Sequence, residues 1–91
     1  MSYDLFETEG FLQDIEQDFE GRKSKILRKL RTYVYPQLTQ EPHAGKNIKK
    51  LKDFSPDTWR YRIGDYRFFY EIDESEQTVF LTAARHRKAS Y

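Results

Sequence analysis

Arg60 and Arg62 stand two apart in a stretch that alternates with Trp59, Tyr61 and Ile63, and Arg67 follows just after a Gly64-Asp65 pair. Arg85, His86, Arg87, Lys88 and Tyr91 follow later, in a segment without Asp or Glu. Side chains at period two on a strand share a face, so Arg60 and Arg62 lie together, opposite the apolar set. A two-residue turn brings Arg67 beside Arg62. Guanidinium groups present planar forks of donors that match phosphate oxygens, and this side-chain type stays protonated near neutral pH. A tyrosine at the end adds a ring on which an unpaired base can stack. The chemistry this set suits is the gripping of an RNA phosphodiester, with Lys49 and Lys52 extending the cationic path.

Plainer readings stand beside these. Alternating arginine on a strand also fits a solvated outer face, His86 a surface histidine, Tyr91 an unfixed last residue, and the lysines at 46, 49, 50 and 52 a solubilising loop. Phe68, Phe69, Tyr70 and Phe80 read as core. With two histidines, four glycines and no cysteine, no metal site, glycine-rich phosphate loop or Ser/His/Asp set can be assembled, so no cofactor is expected.

The elements that must position the arginines follow from periodicity. Tyr3 to Phe6 reads as a first strand, and the Thr8 hydroxyl can cap a helix starting at Glu9. Phe11, Leu12, Ile15 and Phe19 recur at helical spacing; Gly21 breaks that helix, and Ile26, Leu27, Leu30 and Val34 repeat the spacing until Pro36 stops a second one. Residues 36–57 hold all three prolines and read as a connection with room for one helical turn. From Thr58 the period becomes two: a strand to Ile63, a return strand from Tyr66 to Ile72, and a third from Thr78 to Ala84. The expected fold is α+β, an N-terminal strand and helical hairpin packed on an antiparallel β-sheet in one domain, 1–91.

Composition narrows the setting. Ninety-one residues, 37% hydrophobic and 34% charged, make one small globular domain. No stretch approaches the roughly 18 apolar residues that span a bilayer. The lack of cysteine makes a reducing cytoplasm the expected location, with no membrane partner. A net charge of +1 hides a polarity: residues 1–20 carry seven carboxylates and no Lys or Arg, so all sixteen basic residues follow. That split predicts an acidic and a basic face.

The run Gly45-Lys46-Asn47-Ile48-Lys49-Lys50-Leu51, then Tyr61-Arg62-Ile63-Gly64-Asp65-Tyr66-Arg67, Tyr70-Glu71-Ile72, and His86-Arg87-Lys88 followed by Tyr91, resembles the RelE/ParE superfamily of bacterial and archaeal toxins. The likeness reaches the upstream strand and helical hairpin and implies the RelE-like, microbial ribonuclease-like fold. Such toxins are encoded with an antitoxin; the RelE branch cleaves messenger RNA in the ribosomal A site and the ParE branch poisons DNA gyrase. For a RelE-type toxin the resemblance implies these partners: mRNA, the ribosome with its 16S rRNA, an acidic antitoxin, and operator DNA through the antitoxin alone. In the RelE-type reaction the ribose 2′-hydroxyl attacks the adjacent phosphate. Carried over by motif, Arg60 and Arg62 stand where the family has a Lys-x-Lys pair, Arg67 where it has a phosphate-clamping Arg, Arg87 where it has an Arg near the C-terminus, and Tyr91 where it has a stacking Tyr.

Arginine is a poor base, so His86 is expected to supply or share the acid–base role, with Arg62, Arg67, Arg87 and Tyr91 completing the catalytic set. Arg60, Lys49, Lys52, Arg85 and Lys88 are expected to bind RNA. A gyrase inhibitor without nuclease activity and a decayed, antitoxin-binding module are the alternatives.

Overall fold

The computed structural model describes residues 2–18 and 23–86. Strand β1 (Asp4–Glu7) leads into helix α1 (Glu9–Asp18), followed by α2 (Lys23–Lys29), a π-helical turn (Leu30–Val34) and α3 (Tyr35–Gln40). Strands β2 (Ile48–Lys50), β3 (Trp59–Ile63), β4 (Tyr66–Asp73) and β5 (Thr78–His86) follow. They form one sheet in the order β1-β5-β4-β3-β2. The expected α+β architecture holds, with one correction. Neighbours from β2 to β5 pair antiparallel, but β1 runs parallel to β5, with Asp4 opposite Thr78, so the sheet is mixed. Parallel pairing needs a long crossover, which the helices provide; periodicity identifies a strand but not its direction.

Thr8 caps α1 as anticipated: its Oγ1 accepts the Phe11 N–H at 3.3 Å while its own hydroxyl donates to the Leu81 carbonyl at 2.7 Å. The helix break expected at Gly21, with Phe19, lies outside the described residues. Pro36 does not stop the second helix. The Tyr35 N–H reaches back to the Leu30 carbonyl, and this wider turn carries the helix past a residue that has no N–H and whose ring would crowd the carbonyl four residues earlier. Helical backbone thus continues to Gln40, and β2 forms inside the segment read as a connection. Three residues, two of them lysine, give too little period-two signal to mark β2.

One face of the sheet is covered. Phe11, Ile15, Ile26, Leu30, Val34 and Leu38 from the helices pack with Tyr61, Tyr66, Phe68, Tyr70, Val79, Leu81 and Ala84 from the strands. Burying each large side chain contributes about 1.5–3 kcal/mol against the entropy of ordering the chain. Phe69 and Phe80, read as core, instead alternate to the uncovered face and are half-buried.

A bulge sets the alternation on β5. Phe69 pairs with Ala83 but Tyr70 pairs with Leu81, so Thr82 has no partner in the register. Val79 and Leu81 point inward before it; Ala84 and His86 point inward after it. Helix α1 seats against this bulge, where a Cβ on Gly10 would lie 3.3 Å from the Thr82 carbonyl. Further along, past the end of β1, the Asp14 carboxylate accepts the Ala84 N–H at 3.0 Å and a guanidinium N–H of Arg85 at 2.5 Å. Ala84 is fully buried, so this N–H has no access to water. Asp14→Ala is therefore expected to cost about 1–3 kcal/mol, mostly from the orphaned Ala84 N–H rather than the partly exposed ion pair, read as a lowered urea midpoint with unchanged slope.

At the opposite edge a polar clasp ties the segment after α3 to the β4–β5 turn. The His43 imidazole lies between Glu74 and Glu41, Tyr3 donates to Glu74 at 2.9 Å, and Trp59 meets the imidazole edge-on at 5.5 Å. The hydrogen bond to Glu74 holds the His43 pKa above its ordinary value against partial burial. Hydrogen bonds from His43 hold both Glu41 and Glu74 below theirs. Glu41 and Glu74 therefore contribute stability above the ordinary carboxylate pKa that is lost as acid titrates their lowered folded values. The His43 contribution is full below about pH 6.5 and is lost as pH rises through its raised folded value. His43→Gln is expected to flatten the fall in melting temperature on the alkaline side of that window, checked by thermal scans from pH 5 to 9.

Candidate nucleic-acid interface

The β3–β4 hairpin turns through Gly64 and Asp65, with Gly64 at φ +58°. A positive φ at the first loop residue is what a type II′ turn requires, and glycine adopts it without steric cost. The turn fixes the register, and the register builds the site. Arg62 pairs with Arg67, and Arg67 pairs with Arg85, so three arginines on three neighbouring strands form one row on the uncovered face. At strand spacing the row spans roughly 10 Å between its outer backbones. All three are exposed.

The next row on that face holds Lys49 opposite Arg60, Arg60 opposite Phe69, and Phe69 opposite Ala83. Arg60 is half-buried, and its Nε is enclosed with no hydrogen-bond partner among the described residues. Lys52 is exposed in the turn after β2. Lys50 belongs to the other face, where its ammonium lies 3.2 Å from Asp57 and 5.8 Å from the Trp59 ring centre.

Like charges placed directly opposite on neighbouring strands repel. Asp14 offsets that repulsion at Arg85. Arg62 and Arg67 make no ion pair among the described residues. Arg62 and Arg67 thus form a cationic pair without a counter-charge among the described residues, set on neighbouring strands and able to donate several hydrogen bonds to one anion.

His86 is not part of it. The residue is 4% exposed, opposite Tyr66 on β4 with the two rings 4.9 Å apart, on the helix-covered face. The sequence reading gathered Arg85 and His86 on one surface; strand alternation separates them, and the Thr82 bulge decides which goes inward. A buried imidazole across the sheet cannot reach a phosphate held by Arg62 and Arg67. Arg87, Lys88 and Tyr91 lie outside the described residues.

One feature escaped the sequence reading. Phe54 and Thr58, from the β2–β3 connection, line an open depression of about 360 Å³ together with Phe69, Thr82, Ala83 and Arg85. The signal available was period two on β4, which puts Phe69 on the arginine side.

A family model described as the ParE toxin of the type II toxin-antitoxin system parDE matches residues 8–91. No curated protein sequence matches significantly. Among solved structures, the RelBE2 toxin-antitoxin complex from Mycobacterium tuberculosis matches with a TM-score of 0.78 at 25% identity, over 96% of this chain and 93% of that one. A YoeB/ParE toxin from Agrobacterium tumefaciens gives 0.70 at 21% identity, over 91% and 96%. A mutant of the E. coli toxin RelE in its free state gives 0.66 at 22% identity, over 99% and 88%. The cationic strip sits on the fold these toxins share, and the chain belongs to the ParE toxin family of type II toxin-antitoxin systems, within the RelE/ParE superfamily.

Proposed function

We propose that this chain inhibits translation as an endoribonuclease, cutting mRNA in the ribosomal A site, and that an acidic antitoxin covering the basic face holds it in check. The observation that carries this reading is the Arg62–Arg67–Arg85 row, whose first two members have no counter-charge among the described residues. Such a row destabilises the free chain and is relieved by an anion. The RelBE2 structure is titled a toxin-antitoxin complex, which supports an antitoxin partner here.

In the proposed reaction the ribose 2′-oxygen bonds to the adjacent phosphorus and the bond to the 5′-oxygen breaks. The products are a 2′,3′-cyclic phosphate and a 5′-hydroxyl. The hydroxyl loses a proton and the leaving oxygen gains one. The phosphorane between them carries extra negative charge, and fixed guanidinium donors stabilise it most because they need no reorganisation as it forms. Arg62 and Arg67 supply that charge; Arg60, Lys49 and Lys52 hold the flanking backbone. Arg87 and Tyr91 complete the proposal as a second phosphate clamp and a stacking ring, and Lys88 as a further RNA-binding cation.

A second reading, a gyrase inhibitor without nuclease activity, is favoured by the ParE name of the matching family model. It would work through the helical hairpin, where Leu12, Ile15, Leu27, Leu30 and Tyr35 line a groove of about 400 Å³.

Mapping 5′ ends on translated and untranslated copies of one transcript separates the two. Cuts confined to translated copies are expected, and Arg62→Gln or Arg67→Gln should reduce them about a hundredfold or more while leaving the free chain equally stable or up to about 1 kcal/mol more so. Intact RNA with DNA damage would instead establish the gyrase reading. His86→Gln is expected to lower stability by about 0.5–3 kcal/mol through the lost contact with Tyr66 and to leave cleavage by the folded protein within a few-fold. A hundredfold slower cut at unchanged stability would return His86 to the chemistry.

A further inference from the structure

We infer that the depression beside the arginine row is a slot for one unpaired nucleobase, with Phe54 and Phe69 as its stacking surfaces. This rests on the RNA reading above and adds where a base flanking the gripped phosphate goes.

Neither ring behaves as core. Phe54 is 54% exposed in the β2–β3 connection, and Phe69 faces outward between Arg60 and Ala83. The depression they line with Thr58, Thr82, Ala83 and Arg85 holds about 360 Å³ and is open to solvent. Charge selects the occupant. With Arg60 beside Phe69 and the Arg62–Arg67–Arg85 row next to it, a ligand here must join a flat apolar body to negative charge. A nucleotide is that ligand: the base stacks on aromatic faces while its phosphate meets guanidinium.

The polar rim fits too. The Thr58 hydroxyl donates to the Pro56 carbonyl at 3.1 Å and the Thr82 hydroxyl to the Phe69 carbonyl at 3.3 Å. Each oxygen is left as an acceptor, suited to an amino N–H on a base edge. A duplex hides its base faces, so the slot selects single strands.

The test is fluorescence anisotropy of the full chain at low salt with two labelled six-nucleotide RNA probes of equal charge, one adenine-bearing and one abasic. Wild type should bind the adenine strand about tenfold more tightly. Phe54→Ala should abolish that advantage without weakening the abasic complex or changing the salt dependence, and Phe54→Trp should restore it. Because Phe54 is exposed, an unchanged melting temperature is expected for both variants. Arg67→Gln should weaken both strands alike and lower the salt slope by about one. Adenine binding insensitive to Phe54, or Phe54→Ala weakening both strands equally, overturns the slot while the RNA reading stands. Strands that fail to bind wild type, or that ignore Arg67→Gln, overturn the slot, and the 5′-end mapping above decides the RNA reading separately. Phe54-dependent binding of an acidic, phenylalanine-bearing peptide in place of RNA would assign the slot to a protein and defeat the inference.

Discussion

One unpaired residue governs which chemistry each face of the sheet carries. Up to Leu81, odd positions of β5 point into the core; past Thr82, even positions do. Remove the bulge and Arg85 would enter the apolar layer beneath α1 while His86 would join the arginines. Burying an unpaired guanidinium costs several kcal/mol, so the unbulged register is closed to this sequence. The bulge is held from both sides, by the Thr82 hydroxyl on the Phe69 carbonyl and by α1, which approaches closely because residue 10 has no side chain.

Asp14 ties that register to the charge pattern. Its carboxylate meets the Ala84 N–H beyond the end of β1, closing an edge that would otherwise lie unsatisfied, and the same oxygen holds Arg85. One residue thus fixes the first inward position after the bulge and neutralises one end of the arginine row. The effect is to focus cationic character on Arg62 and Arg67, whose shared turn through Gly64 and Asp65 leaves them little freedom to move apart. Paired strands hold the two backbones in register, so one added anion can meet both guanidiniums at once.

The sequence made legible whatever depends on near neighbours. The Thr8 cap, the 3.6-residue spacing of Phe11 and Ile15, and the hairpin that returns at Tyr66 are each decided within a few residues, and each stands in the structure. Long-range geometry was less readable. The parallel partner of β1 lies some seventy residues away along the chain. Pro36 misled because its ordinary effect is to end a helix, and the π turn that accommodates it has no composition of its own. The pairing of Arg62 with Arg67 followed from turn length alone; the separation of Arg85 from His86 did not, since a bulge leaves no mark on periodicity until its register is known.

The near-neutral total charge gives the arginine strip a particular character. With a net charge of +1 and a Debye length of about 8 Å at physiological salt, the protein exerts little pull on a distant polyanion. That total already includes the seven carboxylates of residues 1–20. The strip therefore acts at contact distance, where guanidinium forks and phosphate oxygens meet directly and screening is weak. A site of this kind discriminates poorly by capture and well by fit: it binds an anion already brought to it in the right conformation. On the proposed reading, that suits an RNA strand held extended by a larger assembly better than one diffusing free. It also suits reversal by a tethered acidic partner, which can occupy the same short-range positions at high effective concentration.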